Sequence, residues 1–130
     1  MDEPYVPAAE QLVLELFVCD AVRSRDFYAA LGFEIVRDSG SFVVLGWEGH
    51  LLLLDERPRL APPPSPVANV RVMVADVDAV WGRALALGLP VHVPIADRPY
   101  LLRDFIVVDP DGFGVRFASR IGGDEREAGT

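Results

Sequence analysis

Asp-Phe-Ile-Val-Val-Asp-Pro-Asp-Gly-Phe-Gly-Val-Arg-Phe, residues 104–117, is the stretch on which the reading of this chain turns. Phe105–Val108 is apolar and largely β-branched, the composition of a strand. Asp109-Pro110-Asp111-Gly112 then supplies a turn, because proline presets φ at the second position and glycine accepts φ > 0 beyond it. Val115–Phe117 resumes a strand, so the whole reads as a β-hairpin. A weaker copy lies upstream at residues 41–54, Ser-Phe-Val-Val-Leu-Gly-Trp-Glu-Gly-His-Leu-Leu-Leu-Leu. Phe42, Val44 and Gly49 stand a constant 63 residues before Phe105, Val107 and Gly112.

Working outward, each hairpin closes a longer series. Gln11–Cys19 reads as a strand, Asp20 as a helix cap, and Gly32 as the left-handed stop after Leu31. Phe27, Tyr28 and Leu31 form an apolar stripe on that helix, which suits packing. Phe33–Arg37, Ser41–Trp47 and Gly49–Asp55 follow as strands. In the second half, Ala68–Ala75 is a strand, Asp76 a cap, and the helix runs to Leu87 before Gly88. Val77, Val80, Trp81, Ala84 and Leu87 share one helical face. Leu89–Val93 is the next strand, then a loop through about Arg103, then the closing hairpin. Val18, Asp20, Leu31 and Gly32 meet Val74, Asp76, Leu87 and Gly88 at a spacing of 56 residues. The spacing grows to 63 at the hairpins, so the second half carries extra residues within His92–Arg103. The expectation is an α+β chain of two tandem β-α-β-β-β modules, 12–54 and 69–117. Between them residues 56–67 hold too many prolines for helix or central strand and read as an extended linker. Residues 1–10 read as an arm and 121–130 as a polar tail.

Composition narrows the function classes. The 130 residues suit one domain, or two small halves sharing a core. A net charge of −8 argues against nucleic acid, whose backbone selects basic surfaces. No apolar run reaches the roughly 18 residues of a membrane span. The acidic Met-Asp-Glu-Pro start lacks the basic-then-apolar order of a signal peptide. The single cysteine, Cys19, forms no internal disulfide and points to a reducing cytoplasm. Its neighbour Asp20 disfavours a thiolate, so a buried, inert thiol is expected. There is no lysine, which excludes lysine Schiff-base chemistry and a phosphate-loop lysine.

Three motifs together resemble the vicinal oxygen chelate superfamily of glyoxalases, bleomycin-resistance proteins and extradiol dioxygenases. They are Phe-Tyr-x-x-Leu-Gly-Phe-Glu (Phe27 to Glu34), Val-x-Asp-Val-Asp (Val74 to Asp78) and Asp-Pro-Asp-Gly (Asp109 to Gly112). The resemblance covers about residues 12–119. It implies paired modules whose mixed sheets curl round a cleft, and homodimers are common among such proteins. Metal-using members place one ligand on the first strand and one on the last strand of each module. Those places fall here on Val13, Leu53, Asn69 and Arg116. Val13 and Leu53 have no donor atom, Arg116 is a permanent cation, and Asn69 alone is a poor ligand. No metal and no other cofactor is expected. His50, at a turn, and His92, at the start of the loop, read as ordinary exposed histidines.

What remains is a non-metal cleft. Side chains alternate across a strand, so Val13, Glu15 and Phe17 share one face and Asn69, Arg71 and Met73 another. Arg116 joins that floor, and Glu15 is read as ion-paired with an arginine there, either to fix module pairing or to orient a ligand. Trp47 is either a wall of the cleft or a core residue. Arg98, Tyr100 and Arg103 lie in the longer second loop, placed to clamp an anionic group or simply solvated. The resemblance and the missing ligands point to a bleomycin-resistance-type protein that sequesters a small, partly planar, antibiotic-like molecule without chemistry. The alternatives are a lyase- or dioxygenase-type enzyme of the same fold with Glu15 as general base, and a structural or regulatory dimer.

Overall fold

Two aspartates start the two helices. Asp20 accepts hydrogen bonds from the amides of Val22 and Arg23 at 3.1 and 3.2 Å, and Asp76 from that of Ala79 at 3.2 Å. Each satisfies N–H groups that a first helical turn cannot bond internally. The helices they open are α1, Ala21–Ala30, and α2, Val77–Ala86. Gly32 at φ 111° and Gly88 at φ 67° stop them. The structure, a computed structural model, describes residues 5–122, so the outermost parts of the arm and tail lie outside the described residues.

The chain divides between Ala61 and Pro62 into two compact units. Unit one holds β1 (Leu14–Val18), α1, β2 (Glu34–Asp38), β3 (Phe42–Trp47) and β4 (His50–Glu56). Unit two holds β5 (Asn69–Met73), α2, β6 (Val91–Asp97), β7 (Leu102–Val108) and β8 (Gly114–Arg120). Each unit is one mixed four-stranded sheet, ordered β1-β4-β3-β2 and β5-β8-β7-β6. The first strand of each module runs parallel to the last, and the other pairs are antiparallel. The α+β reading of two β-α-β-β-β modules is thus what the chain forms.

The modules also agree in register. Leu14 pairs with Leu52 in unit one and Val70 with Val115 in unit two, residues related by the same 56 and 63 spacings. A further shared device ties each helix to its last strand. Glu56 accepts from the Ala21 amide at 3.0 Å, and the Ser119 hydroxyl, at the matching place, accepts from the Val77 amide at 3.0 Å. Ser119 also donates to the Val74 carbonyl at 2.7 Å.

One face of each sheet lies under its helix. In unit one Tyr28 and Leu31 are buried on the side of α1, which packs on β3 and β4, and Leu16, Val18, Val43, Leu45, Leu52 and Leu54 are buried on the same sheet face. In unit two Val77 and Ala84 lie over Phe105, Val107, Val115 and Phe117. Phe105 and Phe117 stack at 5.6 Å, with Trp81 5.0 Å from Phe105. Leu87, expected on the apolar helix face, is exposed beyond the last turn.

The segment read as a loop after Val93 is corrected by the structure. β6 continues to Asp97, so His92 sits on a strand, and the irregular part shrinks to Arg98–Leu101. The register shifts twice, between Val91 and Val93 and between Val93 and Ala96. Each shift takes up one residue, and β2 has a like shift between Ile35 and Arg37, so most of the extra residues of the second half lengthen the β6–β7 hairpin. Pro94 is tolerated because β6 is an edge strand and its outer side needs no donor. In the linker region, Glu56 belongs to β4, and Pro63 rests on the hairpin turn. A Cβ on Gly112 would come 3.2 Å from the Pro63 carbonyl oxygen, and Gly112 sits at φ 85°. Both space and backbone therefore require glycine there.

Candidate functional site

The faces not covered by the helices carry Glu15 and Phe17 on sheet one and Asn69, Arg71, Met73 and Arg116 on sheet two. On sheet one Glu15 pairs in register with Leu53 and Phe17 with Asp55. Val13 lies immediately before β1. Glu15 and Phe17 are exposed. The Arg57 guanidinium lies 4.6 Å over the Phe17 ring and bonds Asp55 at 2.9 Å, so that aromatic surface carries a cation.

On sheet two Asn69 stands beside Gly114, Arg71 beside Arg116, and Met73 beside Ala118. Across the hairpin, Arg116 pairs with Ile106 and Ala118 with Asp104. Alternation puts Asp104, Ile106 and Arg116 on one face, opposite Phe105, Val107 and Phe117. Asp104 is the centre of this face and is only 2% exposed. Its Oδ2 accepts from Arg116 Nε at 2.9 Å and Nη2 at 2.5 Å, and from the Tyr100 hydroxyl at 2.8 Å. Its Oδ1 accepts from Arg98 Nε at 2.8 Å. The Arg116 guanidinium also lies 5.1 Å from the Tyr100 ring centroid.

Burial alone pushes the Asp104 carboxyl upward, but the bonds from Arg98, Tyr100 and Arg116 outweigh it and hold it below its ordinary value. For Tyr100, burial and the bond to Asp104 raise the phenol, while the two arginines pull it partly back. The cluster is therefore an ionised carboxylate with two guanidiniums and a neutral phenol.

Two expectations need correction, and one open alternative is decided. The carboxylate partner of Arg116 is Asp104, and Glu15 is exposed rather than buried in an ion pair. Trp47 takes the core alternative: it lies half-buried on the helix side of sheet one, its ring 5.0 Å from Phe33. Every residue of β3 is apolar or glycine, so alternation could not reveal which side Trp47 takes. Arg103 likewise turns to the helix side, bonding Asp78 of α2 at 2.9 Å and Asp97 at 3.1 Å. It holds helix to sheet and does not share the face of Tyr100. Cys19 is half-buried, and its thiol donates to the Pro58 carbonyl at 3.3 Å.

Asp104 itself was missed in the sequence. A signal existed: counting back from the turn pairs Val108 with Gly114, which sets Asp104 diagonal to Arg116 on one face. An acid inside an apolar strand needs such a partner.

The residues present do not fit a divalent transition metal. The four places carried by resemblance hold Val13, Leu53, Asn69 and an arginine already bound to a carboxylate. Among the described residues no three His, Cys, Asp or Glu side chains gather elsewhere.

Comparison with known proteins agrees with the architecture. The crystal structure of a glyoxalase/dioxygenase from Nostoc punctiforme matches with a TM-score of 0.75 at 21% identity, covering 92% of this chain and 98% of the other. A bleomycin resistance determinant encoded on the transposon Tn5 matches at 0.71 and 21%, covering 85% and 98%. A lactoylglutathione lyase from Agrobacterium tumefaciens matches at 0.68 and 22%, covering 88% and 96%. No curated protein matches. The family model for the Glyoxalase/Bleomycin resistance protein/Dioxygenase superfamily matches residues 11–117, through both modules, and the chain belongs to that superfamily.

Proposed function

We propose that this chain is a small-molecule binding protein of the superfamily, working without a resident metal, and that the helix-free sheet faces receive the ligand. The observation that carries the reading is the Asp104 cluster, which occupies Arg116 at a place where metal-using relatives of this fold would need a ligand. The binding residues are Val13, Glu15, Phe17 and Leu53 on the first face, and Asn69, Arg71, Met73, Tyr100 and Arg116 on the second. An enzymatic reading would make Glu15 a general base. Its exposed position offers no enclosure for proton transfer, which favours binding over catalysis. The reading takes the two units as one domain, which the family match running through residues 11–117 supports. It also takes the protein to be a cytoplasmic homodimer, since a module of about 45 residues has little core of its own.

A thermal-shift screen tests this with bleomycin-like, mitomycin-like and dicarbonyl compounds, each with and without added metal. A true ligand at 100 times its dissociation constant stabilises by about 2.7 kcal/mol. The expected result is a metal-independent rise in Tm with no turnover of the compound. Metal-dependent consumption of a compound would instead favour the enzyme.

A further inference from the structure

We propose that the ligand taken by the second sheet is an organic anion, a small aromatic or aliphatic carboxylate, held by Arg98 and Arg116 with its apolar part seated beside Ile106. This rests on the reading that the sheet faces bind small molecules and adds the ligand's chemical class.

Two guanidiniums share one carboxylate, which leaves one positive charge in excess. A carboxylate offers about four acceptor positions. Asp104 already receives four side-chain hydrogen bonds, from Arg98, Tyr100 and twice from Arg116, and has no capacity left. The side chains of Arg98 and Arg116 keep only 22% and 20% of their surface exposed, so water screens the surplus charge poorly. Arg98 spends Nε on Asp104 and Nη2 on the Pro94 and Asp104 carbonyls. Arg116 spends Nε and Nη2 on Asp104. Among the described residues Nη1 of neither arginine has a hydrogen-bond acceptor. The cluster is therefore a rigid pair of cations with donors to spare, and a carboxylate is the group a guanidinium matches in shape and charge.

The apolar half of the proposal comes from the neighbouring surface. A small open cup of about 180 Å³ is lined by Val67, Asn69, His92, Val93 and Ile106, among others. No side chain of the cluster lines the cup, but Ile106, which does, is the direct cross-strand partner of Arg116 on the same face, so a ligand reaching past Ile106 meets the cluster. Gly114 keeps the floor low, because a Cβ there would come 3.0 Å from the Asn69 Cβ and 3.4 Å from Ile106. The volume suits one ring or a short chain and is too small for a bulky ligand by itself. The overall charge of −8 makes this local positive centre a selective feature and not part of a general basic surface.

The test uses three isosteric probes on the full chain: benzoate, benzamide and benzamidinium, with inorganic sulfate as a fourth arm. Binding is followed by NMR titration of the backbone and of the arginine side-chain Nε–H signals. The expected result is benzoate binding at least tenfold tighter than benzamide, with benzamidinium weaker still. The Arg98 and Arg116 Nε–H signals move with benzoate, and backbone signals near Val93 and Ile106 move with them. Arg98→Gln and Arg116→Gln, each of which leaves Asp104 one guanidinium, should bring benzoate down to the affinity of benzamide. If either variant fails to fold, the Nε–H shifts in the unaltered chain decide the matter. Equal binding of benzoate and benzamide, or a preference for benzamidinium, overturns the anion while leaving small-molecule binding intact. Sulfate binding as tightly as benzoate removes the apolar part. No binding by any probe ends the inference, and a hit in the thermal-shift screen would then still support the broader reading.

Discussion

Asp104 shows how a single residue gains importance through its surroundings. Removing its carboxylate leaves two partly buried guanidiniums without a counter-ion, and Asp104→Ala should cost about 3 kcal/mol in urea unfolding. Arg116→Glu should destabilise as well, since it sets a second carboxylate against Asp104 in place of the paired cation. The pH dependence has a definite sign. The folded carboxyl titrates below its ordinary value of 3.8, so its stabilisation is fully present above that value and drains away as pH falls through the lower folded one. The stability gap between the unaltered chain and Asp104→Asn should therefore be widest near neutrality and narrow below about pH 4. A gap that stays constant down to pH 2.5 would mean that the carboxylate is not held by the arginines. Glu48 offers a change in the other direction. It sits at φ 47° and Gly49 at φ 88° in the two-residue turn between Trp47 and His50. Asparagine tolerates that conformation far better, and Glu48→Asn should stabilise by about 0.5 kcal/mol, read as a shift of the urea midpoint without a change in slope.

At the scale of elements, the two helices begin with the same chemistry and should fail in the same way. Asp20→Ala and Asp76→Ala should each cost about 1 kcal/mol, the ordinary value of a helix cap. Glu56→Ala and Ser119→Ala remove the tie between each last strand and its helix, and each should cost a similar amount. The double change Asp20→Ala with Glu56→Ala should exceed the sum of the single ones, because both acceptors serve amides of one first turn. A simple sum in chemical denaturation would show that the two act independently. Strand β6 is the element where the modules part. Its bulges and Pro94 carry the chain to Arg98, and only this path brings Arg98 and Tyr100 to Asp104. Unit one has no counterpart of the cluster, since the repeat position of Asp104 is Ser41 and that of Arg116 is Leu53.

For the whole molecule the expectations concern metal and assembly. Purified protein freed of any affinity tag should carry no stoichiometric transition metal by elemental analysis, because the donor set at the four places is wrong for one. Arg116→Glu alone should not create a metal site, since Val13 and Leu53 still lack donor atoms. Sedimentation at micromolar concentration should give a dimer of the 14.2 kDa chain. A monomer would remove the assembly part of the proposed function and leave the binding part standing.

The order of elements, both helix caps, both glycine stops and the 56- and 63-residue correspondence of the two modules could be read from the chain alone. These features are local: a capping aspartate, a glycine at φ > 0 and an Asp-Pro-Asp-Gly turn act on residues a few positions away. Which residues share a face, Glu15 with Phe17 and Arg71 with Met73, followed as well, because alternation is strict in a regular strand. Tertiary structure decided the rest. β3 is apolar or glycine throughout, so only packing against α1 and Phe33 could choose the side for Trp47. Arg103 reads as loop in the sequence, but β7 begins at Leu102, so alternation from Phe105 puts it on the helix side, while Arg98 and Tyr100 lie in the turn after β6, where alternation places nothing. Hairpin spacing makes Asp104 a diagonal neighbour of Arg116, but Glu15 competes from another sheet, and only the folded side chains show that Arg116 bonds Asp104.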